Sequence, residues 1–207
     1  MRELIYAPVV HTEADLGTLS GAAKGEYIAK YGEEKWNQHV RVITDMWDGL
    51  RKKITGMNVP YQSLRIYQDG LPVCGKVMEI VREVAEKGSA NYRLVMELVG
   101  LGARVEGTED PVLLLEEYNN LKRLYQASSA EERAEAIRRY NDTEEELLIK
   151  RDTFISERIR GTLADGETGL LFIGMEHRVH KYLEGIKITY LIYRLPFKEG
   201  LAGGEPR

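Results

Sequence analysis

Residues 3–11 read Glu-Leu-Ile-Tyr-Ala-Pro-Val-Val-His. Apolar side chains run without alternation from Leu4 to Val10 and stop at the polar group His11, Thr12, Glu13 and Asp15. A strand with one wet face alternates between apolar and polar residues, so an unbroken run bounded by polar residues predicts a strand covered on both faces. That is a strand of a parallel sheet, and such a sheet needs helical crossovers between its strands.

The rest of the chain supplies them. Trp36, Val40, Ile43, Trp47, Leu50 and Ile54 recur at helical spacing and predict one apolar helix face. Residues 62–67 predict a second strand, closed by the turn signal Gln68-Asp69-Gly70. Helical patterns fill 75–101 and end at Gly100 and Gly102, and Ala103 to Glu106 predicts a third strand. Pro111 stands where a first-turn proline is favoured, opening a helix that carries Leu114, Leu115, Tyr118, Leu121 and Tyr125. A long helix is expected over 130–163, then strands at 169–173 and 187–193. Strands separated by helices predict the α/β class: a single domain over 1–196, with a mainly parallel sheet of about five strands and helices on both faces. The glycines and Pro206 in residues 197–207 predict a flexible C-terminal tail.

Composition narrows the function classes. A chain of 207 residues with 43% apolar and 30% charged residues has the profile of a globular domain, neither disordered nor fibrous. A net charge of −4 gives no broad attraction to nucleic acid or to an anionic membrane. Cys74 is the single cysteine, so it makes neither an intramolecular disulfide nor a metal motif, and it reads as inert. The N-terminus lacks the features of a signal peptide, and no apolar run approaches the roughly 20 residues of a membrane span. The expected location is cytoplasmic. There is no phosphate loop, no nucleophile elbow and no His-Glu-x-x-His signature, and Gly100-Leu101-Gly102 lacks the third glycine of a dinucleotide fingerprint.

Parallel α/β sheets bind ligands outside the carboxyl ends of their strands. The residues just past the expected strands are His11 and Glu13, then Asp69, then Glu109 and Asp110, then His177 with His180 three residues on. These groups ligate metals or move protons, although any one of them reads equally well as a solvated loop residue. Glu109 and Asp110 also stand where a helix cap would. On a helical wheel of about 100° per residue, Arg151 and Arg158 fall within the apolar arc of the long helix, and Asp152 lies at its edge. Buried arginines need partners, either acidic side chains that fix helix to sheet or an anionic group of a ligand. The candidate catalytic residues are therefore His11, Glu13, Arg151 and His177, with His11, Glu13 and His177 as metal ligands. Arg158, Asp152, Asp69, Glu109 and His180 are candidate ligand-binding residues. His39 reads as a hydrogen-bonded core histidine, and Tyr27, Tyr31, Trp36 and Trp47 as core or interface aromatics.

The last 60 or so residues carry Arg151-Asp152 on a long helix, then an apolar strand ending in Gly174-Met175-Glu176-His177, a Gly-x-x-His motif. In this order of motifs the chain resembles the TraB/Tiki group, which is related to the erythromycin-esterase-like and ChaN-like proteins. The resemblance implies an α/β core with a metal-dependent hydrolase site, as in Tiki-type members, or haem binding, as in ChaN-type members. It matches His177 to the C-terminal motif histidine, His11 to the N-terminal one and Arg151 to the helix arginine. The chain departs from the pattern at its N-terminus, where Ala7-Pro8-Val9-Val10 precede His11 and no Gly-x-x-His is present.

The resulting expectation is a metal-dependent hydrolase using a divalent cation and acting on a small molecule or peptide. Two alternatives stand beside it: a non-catalytic protein that binds haem or another anionic ligand, and a structural or regulatory oligomer. A homodimer would use the helices at 34–55 and 130–163.

Overall fold

In the computed structural model, which describes residues 1–194, the N-terminal apolar run is the strand β1 (Glu3–Val9). Its side chains divide by parity, as a pleated strand requires. Ile5, Ala7 and Val9 enter one core, and Leu4 and Tyr6 enter another on the opposite face of the sheet. The unbroken apolar run is thus two half-runs, each serving its own layer.

β2 (Leu64–Gln68), β3 (Arg104–Glu106), β4 (Thr168–Gly174) and β5 (Lys187–Tyr190) complete the sheet. Its order is β3-β2-β4-β1-β5, and every neighbouring pair is parallel. Six α-helices flank it among the described residues: α1 (Ser20–Tyr31), α2 (Glu33–Thr55), α3 (Val77–Glu86), α4 (Ala90–Gly100), α5 (Pro111–Gln126) and α6 (Ala130–Thr162). The first core takes Trp47 and Leu50 from α2, Val81 from α3 and Val95 and Leu98 from α4. The second takes Ile155 and Ile159 from α6, with Val179 and Leu183 from the segment before β5. The α/β class, the parallel sheet and the helices on both of its faces agree with the sequence reading. No helix among the described residues is long and apolar enough to cross a membrane.

The differences have local causes. The helical stretch expected at 75–101 is two helices, because Gly88 adopts φ 107° and Ser89 restarts the chain by accepting the Tyr92 N–H at 3.1 Å. β5 ends at Tyr190 rather than Tyr193, as an edge strand paired only with β1. The helix α6 is 33 residues long, about 50 Å at 1.5 Å per residue, while β4 has 7 residues and spans roughly 23 Å. Burial on α6 therefore begins only at Leu147, Ile137 stays 41% exposed, and the N-terminal half of the helix packs on α5 instead of the sheet. α2 behaves alike: Ile43 is its first buried residue, and Val40 is 39% exposed. The tail expected at 197–207 lies outside the described residues.

Because all strands are parallel, their carboxyl ends share one edge. There the chain leaves β1 at His11, β2 at Asp69, β3 toward Glu109 and β4 toward His177.

Candidate functional site

Asp69 is the hub of this edge. It comes directly after β2 and is buried, its Oδ2 accepting the Gly174 N–H at 2.8 Å and lying 3.0 Å from His11 Nε2. Its Oδ1 accepts from Arg151 Nη2 at 3.0 Å and lies 3.6 Å from His177 Nε2. Gly70 is next, with φ 74°, a conformation that glycine tolerates, and its N–H reaches Glu109 Oε1 at 3.1 Å. Glu109 is fully buried and takes a two-pronged contact from Arg151, Nε to Oε2 at 2.9 Å and Nη2 to Oε1 at 2.6 Å. Asp110, by contrast, caps α5 by accepting the Val112 and Leu113 N–H groups.

His177 is anchored from behind. Its Nδ1 lies 2.6 Å from Asp152 Oδ1, and Asp152 Oδ2 accepts the Arg178 N–H at 2.6 Å. Asp152 thereby selects the proton-bearing nitrogen of His177 and turns Nε2 toward Asp69, in the manner of carboxylates that orient metal-bound or catalytic histidines.

The charges respond to this packing. Burial alone would raise the Asp69 carboxyl, but His177, His11 and Arg151 hold it well below the usual carboxylate range. Burial opposes the charged forms of His11 and His177, yet both are raised above 6.5. His11 is raised by Asp69 and then Asp15, and His177 by the charge of Asp69 and the hydrogen bond to Asp152. Glu109 is raised by burial and by Asp69, against the pull of Arg151.

A cavity of about 650 Å³ opens over this edge, bordered by His11, Asp69, Arg151 and His177 on its floor and by Leu114, Glu117, Tyr140 and Glu144 from α5 and α6. A larger groove of about 1270 Å³, lined by Tyr27, Trp36 and His39, meets it at His11 and Leu16.

The candidate residues divide accordingly. The fold gathers His11, Asp69, Glu109, Arg151, Asp152 and His177. It does not assemble the expected metal set of His11, Glu13 and His177. Glu13 opens the 3-10 helix Glu13–Leu19, borders the groove rather than the cavity, and sits 3.6 Å from Lys24. The compact set is instead Asp69, Glu109 and His177, whose ligating atoms lie within 4.8 Å of one another and which could hold a metal ion. Arg158 is also displaced: it donates to the Gly107 carbonyl at 3.2 Å and lies 3.6 Å from Glu106, tying α6 to the end of β3. His180 packs against Tyr6 and Tyr190, outside the cavity. His39 stacks on Tyr27 at 5.3 Å, and Trp36 lies edge-on to Tyr27, so these aromatics line the groove while Trp47 alone of the named four is core.

Sequence reasoning gives no site role to Asp15, Glu117, Glu144 or Gly174. Glu117 has a readable signal, a carboxylate between Leu114 and Leu121 on the same helix face. Gly174 has none beyond its motif. A Cβ there would stand 2.9 Å from Asp69 Oδ2 and 3.7 Å from His11 Nε2, so the glycine is the space in which the site assembles.

No family model matches the chain, and no curated protein and no solved structure matches it.

Proposed function

We propose that the chain is a metal-dependent hydrolase acting on a small molecule or peptide at the strand carboxyl ends. One observation carries the reading. His177 Nδ1 is taken by Asp152, which leaves Nε2 facing Asp69 Oδ1 at 3.6 Å, with Glu109 in the same group. A neutral ring in that tautomer turns a lone pair toward a carboxylate oxygen. The pair is relieved by a second proton on His177 or by a cation between them.

The donor set fits a divalent cation. Imidazole nitrogen with carboxylate oxygens suits zinc, manganese, iron or nickel. Among the described residues Glu109 Oε2 accepts only the Arg151 Nε–H, which leaves it a free lone pair. A cation held by Asp69, Glu109 and His177 would supply Lewis acidity toward a substrate oxygen. Asp152 would fix the ring of His177. His11, whose side chain is 31% exposed and whose Nε2 is held by Asp69, would give or take a proton on the substrate through its other ring nitrogen, Nδ1. Arg151 acts as a positioning residue, holding both carboxylates. The TraB/Tiki resemblance of the C-terminal segment points the same way.

A metal-free hydrolase is the second reading, favoured by Arg151, which already places one positive charge between Asp69 and Glu109.

The test is elemental analysis and an absorbance scan of the untagged protein and of His177→Ala, with a screen of amide and ester substrates with and without chelator. Stoichiometric metal lost in the variant, with chelator-sensitive turnover, supports the metal-dependent reading. Turnover indifferent to chelator moves it to the metal-free form. A Soret band would transfer the site to haem, and an inert metal-free protein whose variant is only less stable would overturn the hydrolase.

A further inference from the structure

The cavity over Asp69 carries more negative charge than its own cations neutralise. Arg151 is consumed by Glu109 and Asp69, His11 is engaged by Asp69, and His177 by Asp152. Among the described residues no lysine borders the space. Glu117 from α5 and Glu144 from α6 both face it, and each is outside every ion pair formed among the described residues. At Glu117 burial pushes the carboxyl up, Arg151 pulls against it, and the neighbouring charge of Glu144 pushes it up further. A partly buried carboxylate, Glu117, facing a second one at the exposed rim, Glu144, is an arrangement that a bound cation relieves.

Asp15 supplies an independent sign of a ligand. Its side chain is 4% exposed, and its Oδ2 accepts from the Thr12 N–H at 2.6 Å and the Thr12 hydroxyl at 2.9 Å. Its Oδ1 is buried and has no donor among the described residues, and Asp15 borders the cavity. Buried polar atoms without partners are few in folded proteins, and those beside a binding space ask for a partner from outside the chain. Tyr118 and Tyr140 line the same space, and aromatic side chains beside carboxylates are the usual surroundings of a bound ammonium.

We propose that the substrate carries a protonated amine, held by Glu117 and Glu144, and nearer the reacting bond a hydrogen-bond donor, taken by Asp15 Oδ1. Glu144 precedes Arg151 by two helical turns, about 10 Å along α6, so the ammonium stands apart from the Asp69 hub by more than a lysine side chain, and the backbone of the substrate spans the rest. The cavity of about 650 Å³ accommodates a molecule of that size. This inference rests on the reading of the cavity as the substrate site and is independent of the metal.

The test is calorimetric titration of the intact chain with Nα-acetyl-lysine methylamide and with the neutral analogue that lacks its amino group, Nα-acetyl-norleucine methylamide. The lysine compound is expected to bind at least tenfold more tightly, with a preference that weakens as salt is raised. The double variant Glu117→Gln/Glu144→Gln is expected to erase the preference while its unfolding midpoint holds or rises, because the substitution removes a repulsion. Asp15→Asn is expected to weaken both compounds alike. Equal binding of the two compounds, binding of neither, or a double variant that keeps the preference overturns the ammonium site, and an Asp15→Asn variant with unchanged affinities overturns the second anchor. Chelator-sensitive hydrolysis of neutral amides without an ammonium preference would remove this inference alone. An intact preference in a protein that hydrolyses nothing would remove the hydrolase alone.

Discussion

The Gly174 N–H donates to Asp69 Oδ2 at 2.8 Å, and a methyl group on Gly174 would stand 2.9 Å from that same oxygen. One residue therefore both holds the hub carboxylate and leaves it room. The two demands come from neighbouring strands, since β4 lies beside β2 in the sheet.

Gly174→Ala is predicted to disturb the site more than the fold. The added carbon meets Asp69 and His11, both held by other contacts, so the hub must shift by some tenths of an ångström. Overpacking of this kind costs about 1–3 kcal/mol. Urea unfolding should register that loss, and metal affinity should fall at least tenfold. Unchanged metal affinity would show that the hub is not where a cation binds.

Arg151→Met is predicted to be severely destabilising. The arginine is 8% exposed and is the shared partner of Asp69 and Glu109, so its removal strands two buried carboxylates. Breaking a buried ion pair from one side costs about 3–5 kcal/mol. Arg151→Lys should recover only part of it, because an ammonium cannot reproduce the two-pronged contact with Glu109. Denaturant titration of the three proteins checks the order.

Asp152→Asn removes the carboxylate that selects the His177 tautomer. Losses of about 10- to 100-fold are typical when such an orienting group is replaced. The loss should appear in turnover or metal affinity, with a changed His177 titration by NMR. A variant that is merely less stable, with native affinity and titration, would reduce Asp152 to a structural role.

Stability and metal affinity should run in opposite directions with pH. The raised His11 and His177 contribute stability that is fully present below their unfolded value of 6.5 and is lost as pH climbs through their higher folded values. Raised Glu109 acts in the same sense. Depressed Asp69 contributes above its unfolded value of 3.8 and loses that contribution only in strong acid. The metal-free protein should therefore melt at a higher temperature near pH 5.5 than near pH 8.5. A bound metal displaces the second proton from His177, so affinity should rise over that same interval. Melting curves with and without chelator, and metal titrations across the range, test both slopes.

Much of the candidate site is legible because strand ends are legible. His11, Asp69, Glu109 and His177 are polar residues just past the apolar runs, and the parallel sheet carries those positions to one edge. Arg151 and Asp152 stand out on the wheel of α6. Glu13 is misplaced by a sequence reading because the chain turns at Thr12: the 3-10 helix carries Glu13 toward Lys24 and leaves Asp15 beside the cavity. Arg151 and Arg158 look alike on the wheel, being two turns apart on one face, and only the position of α6 along the sheet assigns one to Asp69 and the other to the Gly107 carbonyl.

The sequence by itself determined the class of the fold and the direction in which its site would open. Apolar periodicity is a local property, and a run buried on both faces already implies a covered parallel sheet. The tertiary structure decided which polar groups meet. The order β3-β2-β4-β1-β5 inserts β4 between β2 and β1, which brings the His177 loop beside Asp69 and His11. That insertion is fixed by the crossovers and by packing among residues more than 100 positions apart, such as Gly174 and Asp69. No local pattern encodes such a contact, because its free energy exists only once both cores have closed.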